Sequence, residues 1–263
     1  MKLFISLLLS ISALCANVYY SKVEPYEVRK ISSNVAGVVL FANENMLGEK
    51  LTTNAYIKID SKLDRDELGY TNEKLKYLKS TVIMNEKMLH NLEKSLDKKR
   101  KNYKKVQALK IKSSVEKDRE FYDLIASENS FLATQKEINS LKTQIADLEL
   151  RKAQLQRSID DKVLTARSYT LYELNVKVGE VVNKGTPLAT ILDTSKAILT
   201  IYLNESDVSN AKSSTVYIDG VKTSYKVSRV LNIADSKNIS KYMAQIVIES
   251  PEVFSKLVKI ELK

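Results

Sequence analysis

Two seven-residue repeats in the middle of the chain restrict its fold more than anything else in the sequence. Steps of three and four from Leu75 give Leu75, Leu78, Val82, Asn85, Leu89, Leu92, Leu96, Lys99, Tyr103 and Val106. The same steps from Leu124 give Leu124, Ser127, Phe131, Thr134, Ile138, Leu141, Ile145, Leu148, Lys152, Leu155 and Ile159. Such spacing lays one apolar seam along each of two helices. Residues 61–161 hold no Pro and a single Gly, Gly69, so neither arm carries a breaker. The arms are joined by the short polar stretch Lys112, Ser113, Ser114, and most simply fold back as an antiparallel hairpin, each seam covering the other. An arm of about 45 residues reaches roughly 65 to 70 Å at the helical rise. Asn85, Lys99 and Lys152 interrupt the seams, either to fix register or to face neighbouring hairpins in an assembly.

On either side of the hairpin stand two β-branched segments, SSNVAGVVLFANENMLGEKLTTNAYIKID and ARSYTLYELNVKVGEVVNKGTPLATILD, that are similar to each other. Gly48 to Asn54 spans the same six steps as Gly179 to Gly185, with Asn54 expected to take the positive φ of a turn. Neither segment has enough strands to bury an apolar face alone, so together they are predicted to form a small sandwich from which the hairpin projects. From residue 195 onward short alternating strands (AILTIYL, STVYIDG, YKVSRVLNIA, YMAQIVIES, LVKIELK) suit a small barrel, with Asp219 and Gly220 as a hairpin turn.

Composition narrows the function. The only His is His90, at the wet b position after Leu89, and the only Cys is Cys15, which excludes a multi-ligand His/Cys metal site, a Cys/His dyad and a disulfide framework within one chain. Lys2 followed by the apolar run Leu3 to Leu14 reads as a signal peptide over residues 1–16, cleaved after Ala16 or kept as an anchor. Leu14 before Cys15 disfavours lipidation. Removal takes the net charge from +10 to +9 and leaves a thiol-free exported protein. KKRKNYKK, Lys98 to Lys105, puts six positive charges in eight residues near the turn, a solvated face or a steer towards an acidic surface. Export and the lack of interleaved aromatic platforms disfavour nucleic acid.

This organisation resembles the periplasmic adaptor, or membrane fusion protein, family of bacterial efflux and secretion systems (the HlyD and AcrA-like group). VAGVV at Val35 to Val39 and VGEVVNKGTPLATILD at Val178 to Asp193 are similar to the two half-motifs of its split lipoyl domain. LTIYLNESDVSNAK, Leu199 to Lys212, looks like the segment that opens its β-barrel, with Glu205 and Asp207 in recurrent acidic positions. The resemblance implies an elongated α+β fold. A long antiparallel coiled-coil hairpin (61–161) is inserted into a split lipoyl-like β-sandwich (17–60 and 162–194) and followed by a small β-barrel domain (195–263), with the membrane-proximal domain reduced or absent.

Against the family's tip motif of Arg, Leu and Ser, the matching positions are Asn102, Val106 and Ser113, with Asp118 at a further acidic place. Asn102 lacks the fixed charge, and an ammonium from Lys101 or Lys104 is no equal of a guanidinium fork. The implied partners are a TolC-type outer-membrane channel at the tip and an inner-membrane transporter of ABC, RND or MFS type at the barrel and the stretch Val18 to Arg29. A homo-oligomer, hexamer or trimer of dimers, would enclose the conduit. No cofactor is expected: related lipoyl and biotinyl carriers modify a Lys in the turn that the hairpin here replaces. Hydrolysis would have to rely on the exposed His90. The competing class is a structural coiled-coil envelope protein with no transport role.

Overall fold

A computed structural model describes residues 17–235, 238 and 240–263; the signal-peptide reading of residues 1–16 lies outside them. In chain order the elements are β1 (Asn17–Ser32), β2 (Gly37–Ala42), a 3-10 turn (Glu44–Met46), β3 (Ile57–Ile59), α1 (Lys62–Ala108), α2 (Ser114–Asp161), β4 (Val163–Leu164), β5 (Thr170–Leu174), β6 (Val181–Val182), β7 (Pro187–Leu203), α3 (Glu205–Val208), β8 (Val216–Ile218), β9 (Val221–Lys222), β10 (Val227–Ala234), β11 (Tyr242–Glu249) and β12 (Leu257–Leu262). The chain forms two compact units. One holds residues up to Ser33, 41–57 and 165–263, and the other residues 34–40 and 58–164.

The first unit is an open sheet in the order β10-β11-β7-β1-β12-β8-β9, with β5 also beside β7. β1 serves two neighbours: Asn17 to Lys22 pair antiparallel with β12, and Val23 to Ser32 with β7. Alternation places Ala197, Leu199, Ile201 and Leu203 of β7 on one face with Ala244, Ile246, Val258, Ile260 and Leu262, a core in which most side chains are fully buried. β7 runs unbroken through 194 and 195, where the sequence reading divides two domains. The polar stretch Asp193 to Lys196 bends the strand without ending it. Between the pairs Pro25–Ala197 and Glu27–Asp193 three residues of β7 lie against one of β1, and the Asp193 carboxylate accepts the Ser195 N–H at 2.9 Å. A proline belongs at such a place, since it has no N–H to give the ladder.

Asp219 and Gly220 turn β8 into β9 with φ of 49° and 82°, the pair of positive values that a two-residue hairpin needs. Asn54 does not take the positive φ expected of it, whereas Gly48, Gly179 and Gly185 do. Its N–H bonds to Thr52 Oγ1 at 3.1 Å, and that side-chain turn makes a left-handed residue unnecessary.

The second unit is built on α1 and α2, 47 and 48 residues long. Ion pairs link Glu67 to Arg151, Lys79 to Glu149, Glu86 to Lys142 and Arg100 to Glu128; the partner in α2 falls in number as that in α1 rises, so the helices run antiparallel. Leu75, Val82, Leu96, Leu124, Ile138 and Leu155 of the two seams are buried. Lys152 is exposed despite its seam position, because an ammonium keeps its water at the edge of the contact while Leu155 fills the seam. Asn85 is buried, and its Nδ2 has no hydrogen-bond partner.

At the ends of the two helices remote from the turn, β4, β3 and β2 lie side by side. The Asp60 carboxylate accepts the Lys62 N–H and stands in for a cap on α1. Asp64, in the first turn, takes hydrogen bonds from Lys162 Nζ at 2.9 Å and Ser158 Oγ at 2.7 Å. Burial pushes the Asp64 carboxyl up, but these bonds outweigh it and hold the group below the usual carboxylate range. At Gly37 a Cβ would stand 2.7 Å from Ile59 Cγ2, so only glycine fits against that buried side chain.

Candidate functional site

The sequence-predicted residues fall at the turn between α1 and α2. α1 ends at Ala108 and α2 begins at Ser114, so the connection is Leu109 to Ser113 and includes two apolar residues that the polar-stretch reading omits. Ser113 caps α2: its Oγ accepts the Glu116 N–H at 3.3 Å, and Glu116 Oε2 accepts the Ser113 N–H at 3.0 Å and hydroxyl at 3.1 Å. This reciprocal box satisfies helix-end donors that would otherwise lack partners. Lys112 Nζ sits 2.8 Å from Glu116 Oε1. Lys112 first, then the Ser113 N–H and hydroxyl, hold the Glu116 carboxyl down at about 2. The Ser113 hydroxyl is thus already engaged in shaping the turn. The pattern Ser113-x-x-Glu116 was readable from sequence.

Val106 is half-buried and lines an open hollow of about 670 Å³ with Lys112, Glu116, Arg119, Glu120 and Asp123. Asn102, one helical turn before it on α1, and Asp118 on α2 are exposed and stand outside that hollow. Lys101 is engaged with Asp97 at 2.6 Å, and Lys104, two residues after Asn102, stands on the opposite side of α1 from it. Of the basic run, Lys99 and Arg100 reach across to Asp123 and Glu128, both at 2.8 Å, so part of that charge stitches the helices together.

Sequence reasoning missed the apolar apex. Ile111 is 88% and Val115 75% exposed, with Leu109 beside them at 43%. Below them Tyr103 meets Phe121 across the pair at 5.9 Å between ring centroids, and Phe121 meets Tyr122 edge-on at 5.7 Å. Between residues 101 and 119 seven Lys and Arg face two acids, Glu116 and Asp118. The arrangement offers hydrophobic knobs within a basic collar, and the hydroxyl–carboxylate pair it contains, Ser113 and Glu116, is engaged in capping α2. Exposed knobs ringed by charge suit recognition of a surface.

In the first unit, Asp207 of α3 accepts hydrogen bonds from Asn17 Nδ2 at 2.6 Å, from the Tyr19 hydroxyl and from Ser206 at 3.0 Å, tying the start of β1 to α3. Burial, and then that bond to Asp207, push the Tyr19 hydroxyl up. Glu205 is exposed. His90 is exposed too, its Nδ1 3.8 Å from Glu93. Among the described residues there is no group of three or more metal-ligating side chains, and no helix is long and apolar enough to cross a membrane.

No known family's sequence model matches this chain, and no curated protein sequence does. Solved structures do. The chain is similar to MacA from Actinobacillus actinomycetemcomitans at 16% identity and a TM-score of 0.67, over 94% of this chain and 78% of that one. A MacA–MexA chimera containing the Pseudomonas aeruginosa MexA α-hairpin domain matches at 16% identity and a TM-score of 0.58, over 94% and 81%. The membrane fusion protein Spr0693 from Streptococcus pneumoniae R6 matches at 14% and 0.57, over 94% and 98%. At these identities the likeness establishes the fold, which is that of MacA and the membrane fusion protein Spr0693.

Proposed function

We propose that this chain is a periplasmic adaptor subunit of a tripartite efflux or secretion system, a non-enzymatic bridge between an inner-membrane transporter and a TolC-type outer-membrane channel. In this reading residues 1–16 direct export, 17–60 and 162–194 form a split lipoyl-like sandwich, 61–161 the coiled-coil hairpin, and 195–263 a barrel. Copies assemble as a hexamer or trimer of dimers around a conduit, and cargo passes through without reacting. The observation that carries the proposal is the pair of antiparallel helices of 47 and 48 residues whose turn exposes Ile111 and Val115 within a basic collar. An arm of that length spans about 70 Å, a reach suited to touching a protein in the opposite membrane. The internal, returning helices disfavour a continuous parallel stalk, the competing structural role.

Asn102, Val106 and Asp118 are the proposed docking residues, joined by Ile111 and Val115, while Ser113 keeps the turn in shape. The transporter contacts the barrel and the stretch Val18 to Arg29. The test is cross-linking in cells that express the chain with its transporter and channel, followed by purification of the chain. Recovery of both partners supports the bridge; a chain that recovers neither refutes it.

A further inference from the structure

The exposed side of α1 carries a second repeat that its pairing with α2 does not use. With position a placed at Leu75 and Leu124, the c positions of α1 read Leu63, Tyr70, Tyr77 and Met84, each seven residues after the last, and Met88 continues the row one turn on. They are 78, 73, 70, 58 and 47% exposed. Single exposed apolar residues are ordinary, whereas five in one row are not. A strict interval of seven winds left-handedly about a helix, which is the path a second helix follows in a coiled coil.

The two edges of the helix pair differ. Lys79–Glu149, Glu86–Lys142 and Arg100–Glu128 all join e positions and lock one edge with charge. On the other edge, beside the row, the cross-pairs are Glu67–Arg151 and Lys99–Asp123. Between those two no ion pair joins the helices on that edge among the described residues, and α2 presents the small exposed side chains Ala126, Ser130, Ala133 and Ser140.

We infer that this row is the contact between two copies of the chain, α1 against α1, antiparallel about a two-fold axis at Tyr77. The row is symmetric about that residue: turned end for end, Tyr70 of one copy meets Met84 of the second, a sulfur–aromatic contact, and Leu63 meets the turn that begins at Met88. Charge agrees at the f positions beside the row: the reversed copy sets Asp66 against Lys87 and Glu73 against Ser80, where a parallel copy sets like against like, while Lys74, and Lys62 and Lys76 next to Leu63 and Tyr77, stand outside that pattern. The five side chains expose roughly 700 Å², close to the ~800 Å² that each partner contributes to an ordinary stable interface. The inference goes beyond the bridging role. Copies that point in opposite directions cannot share one conduit, so the pair is a form the chain adopts outside the assembly, and its test needs neither channel nor transporter.

Residues 17–263 contain no Cys, so single cysteines report the geometry. In sedimentation equilibrium this chain forms a dimer, and Tyr77→Glu, which sets two carboxylates on the axis, raises the dimer dissociation constant roughly tenfold or more with the helical circular dichroism unchanged. Under mild oxidation Tyr77→Cys links to itself. Met84→Cys does not, but links to Tyr70→Cys when the two variants are mixed. A chain that stays monomeric to millimolar concentration overturns the inference, as does a dimer indifferent to Tyr77→Glu or Met84→Cys linking to itself as fast as Tyr77→Cys. A monomer that floats with anionic vesicles, and ceases to with Tyr77→Glu, assigns the row to a lipid surface instead.

Discussion

Replacing Asn85 by Leu should stabilise the helix pair, although it removes a polar residue from a position where polar residues often specify register. Asn85 is 8% exposed and its Nδ2 has no acceptor. A buried donor left unmade costs about 1 to 3 kcal/mol, and a leucine in the same seam regains apolar burial of similar size. Imperfect packing of a γ-branched side chain offsets part of the gain, so the net expectation is about 2 kcal/mol. For a unit of this size, residues 34–40 and 58–164, that raises the midpoint of thermal unfolding by roughly 8 °C. Two units need not unfold together, so the assay is circular dichroism at the helical band, with urea unfolding alongside to check that the slope is unchanged. Asn85→Ala removes the amide but leaves a void and should fall between wild type and Asn85→Leu. Asn85→Asp buries a charge and should destabilise. An Asn85→Leu chain no more stable than wild type would refute the reasoning, because it would mean that the amide is satisfied in solution.

Other expectations follow from single contacts. Gly37→Ala should cost about 1 to 3 kcal/mol, since the added methyl meets the buried Ile59 side chain; denaturant unfolding measures it. Ser113→Ala should cost about 1 kcal/mol through loss of the α2 cap, with amide exchange speeding up in the first turn of α2 and no change near Leu155. The folded-state pKa of Asp64 lies below its unfolded value, so its contribution is complete above the unfolded carboxylate pKa and is lost as pH falls through the folded one. Asp64→Asn should therefore flatten the acid limb of the stability–pH curve. It should also destabilise at neutral pH by about 3 kcal/mol, because it strands the buried Lys162 ammonium, whereas Lys162→Met should be milder.

The helix pair was legible because its signal is repetitive: one period, held over many turns, names both the elements and the faces that meet, and Leu75, Leu96, Ile138 and Leu155 are buried as that period requires. Features resting on a single local bond were not. Thr52 relieves Asn54 of a left-handed conformation, and the Asp193 carboxylate carries β7 through a stretch whose composition reads as a turn. The Asp64–Lys162 pair joins residues almost a hundred positions apart and leaves no trace in the sequence. At the turn, Ser113 was singled out, but its capping partner Glu116 was not. Ile111 and Val115 were passed over because an apolar residue in a loop looks like core until its exposure is known.

The most direct test of the bridging account is a photoreactive amino acid placed at Ile111 in living cells, with the same label at His90 as a control on the side of α1. The account predicts a covalent adduct between the Ile111 label and an outer-membrane channel protein, weakened when Val115 is changed to Asp, and none from His90. Equal labelling from both positions, or no channel adduct from Ile111, would contradict it.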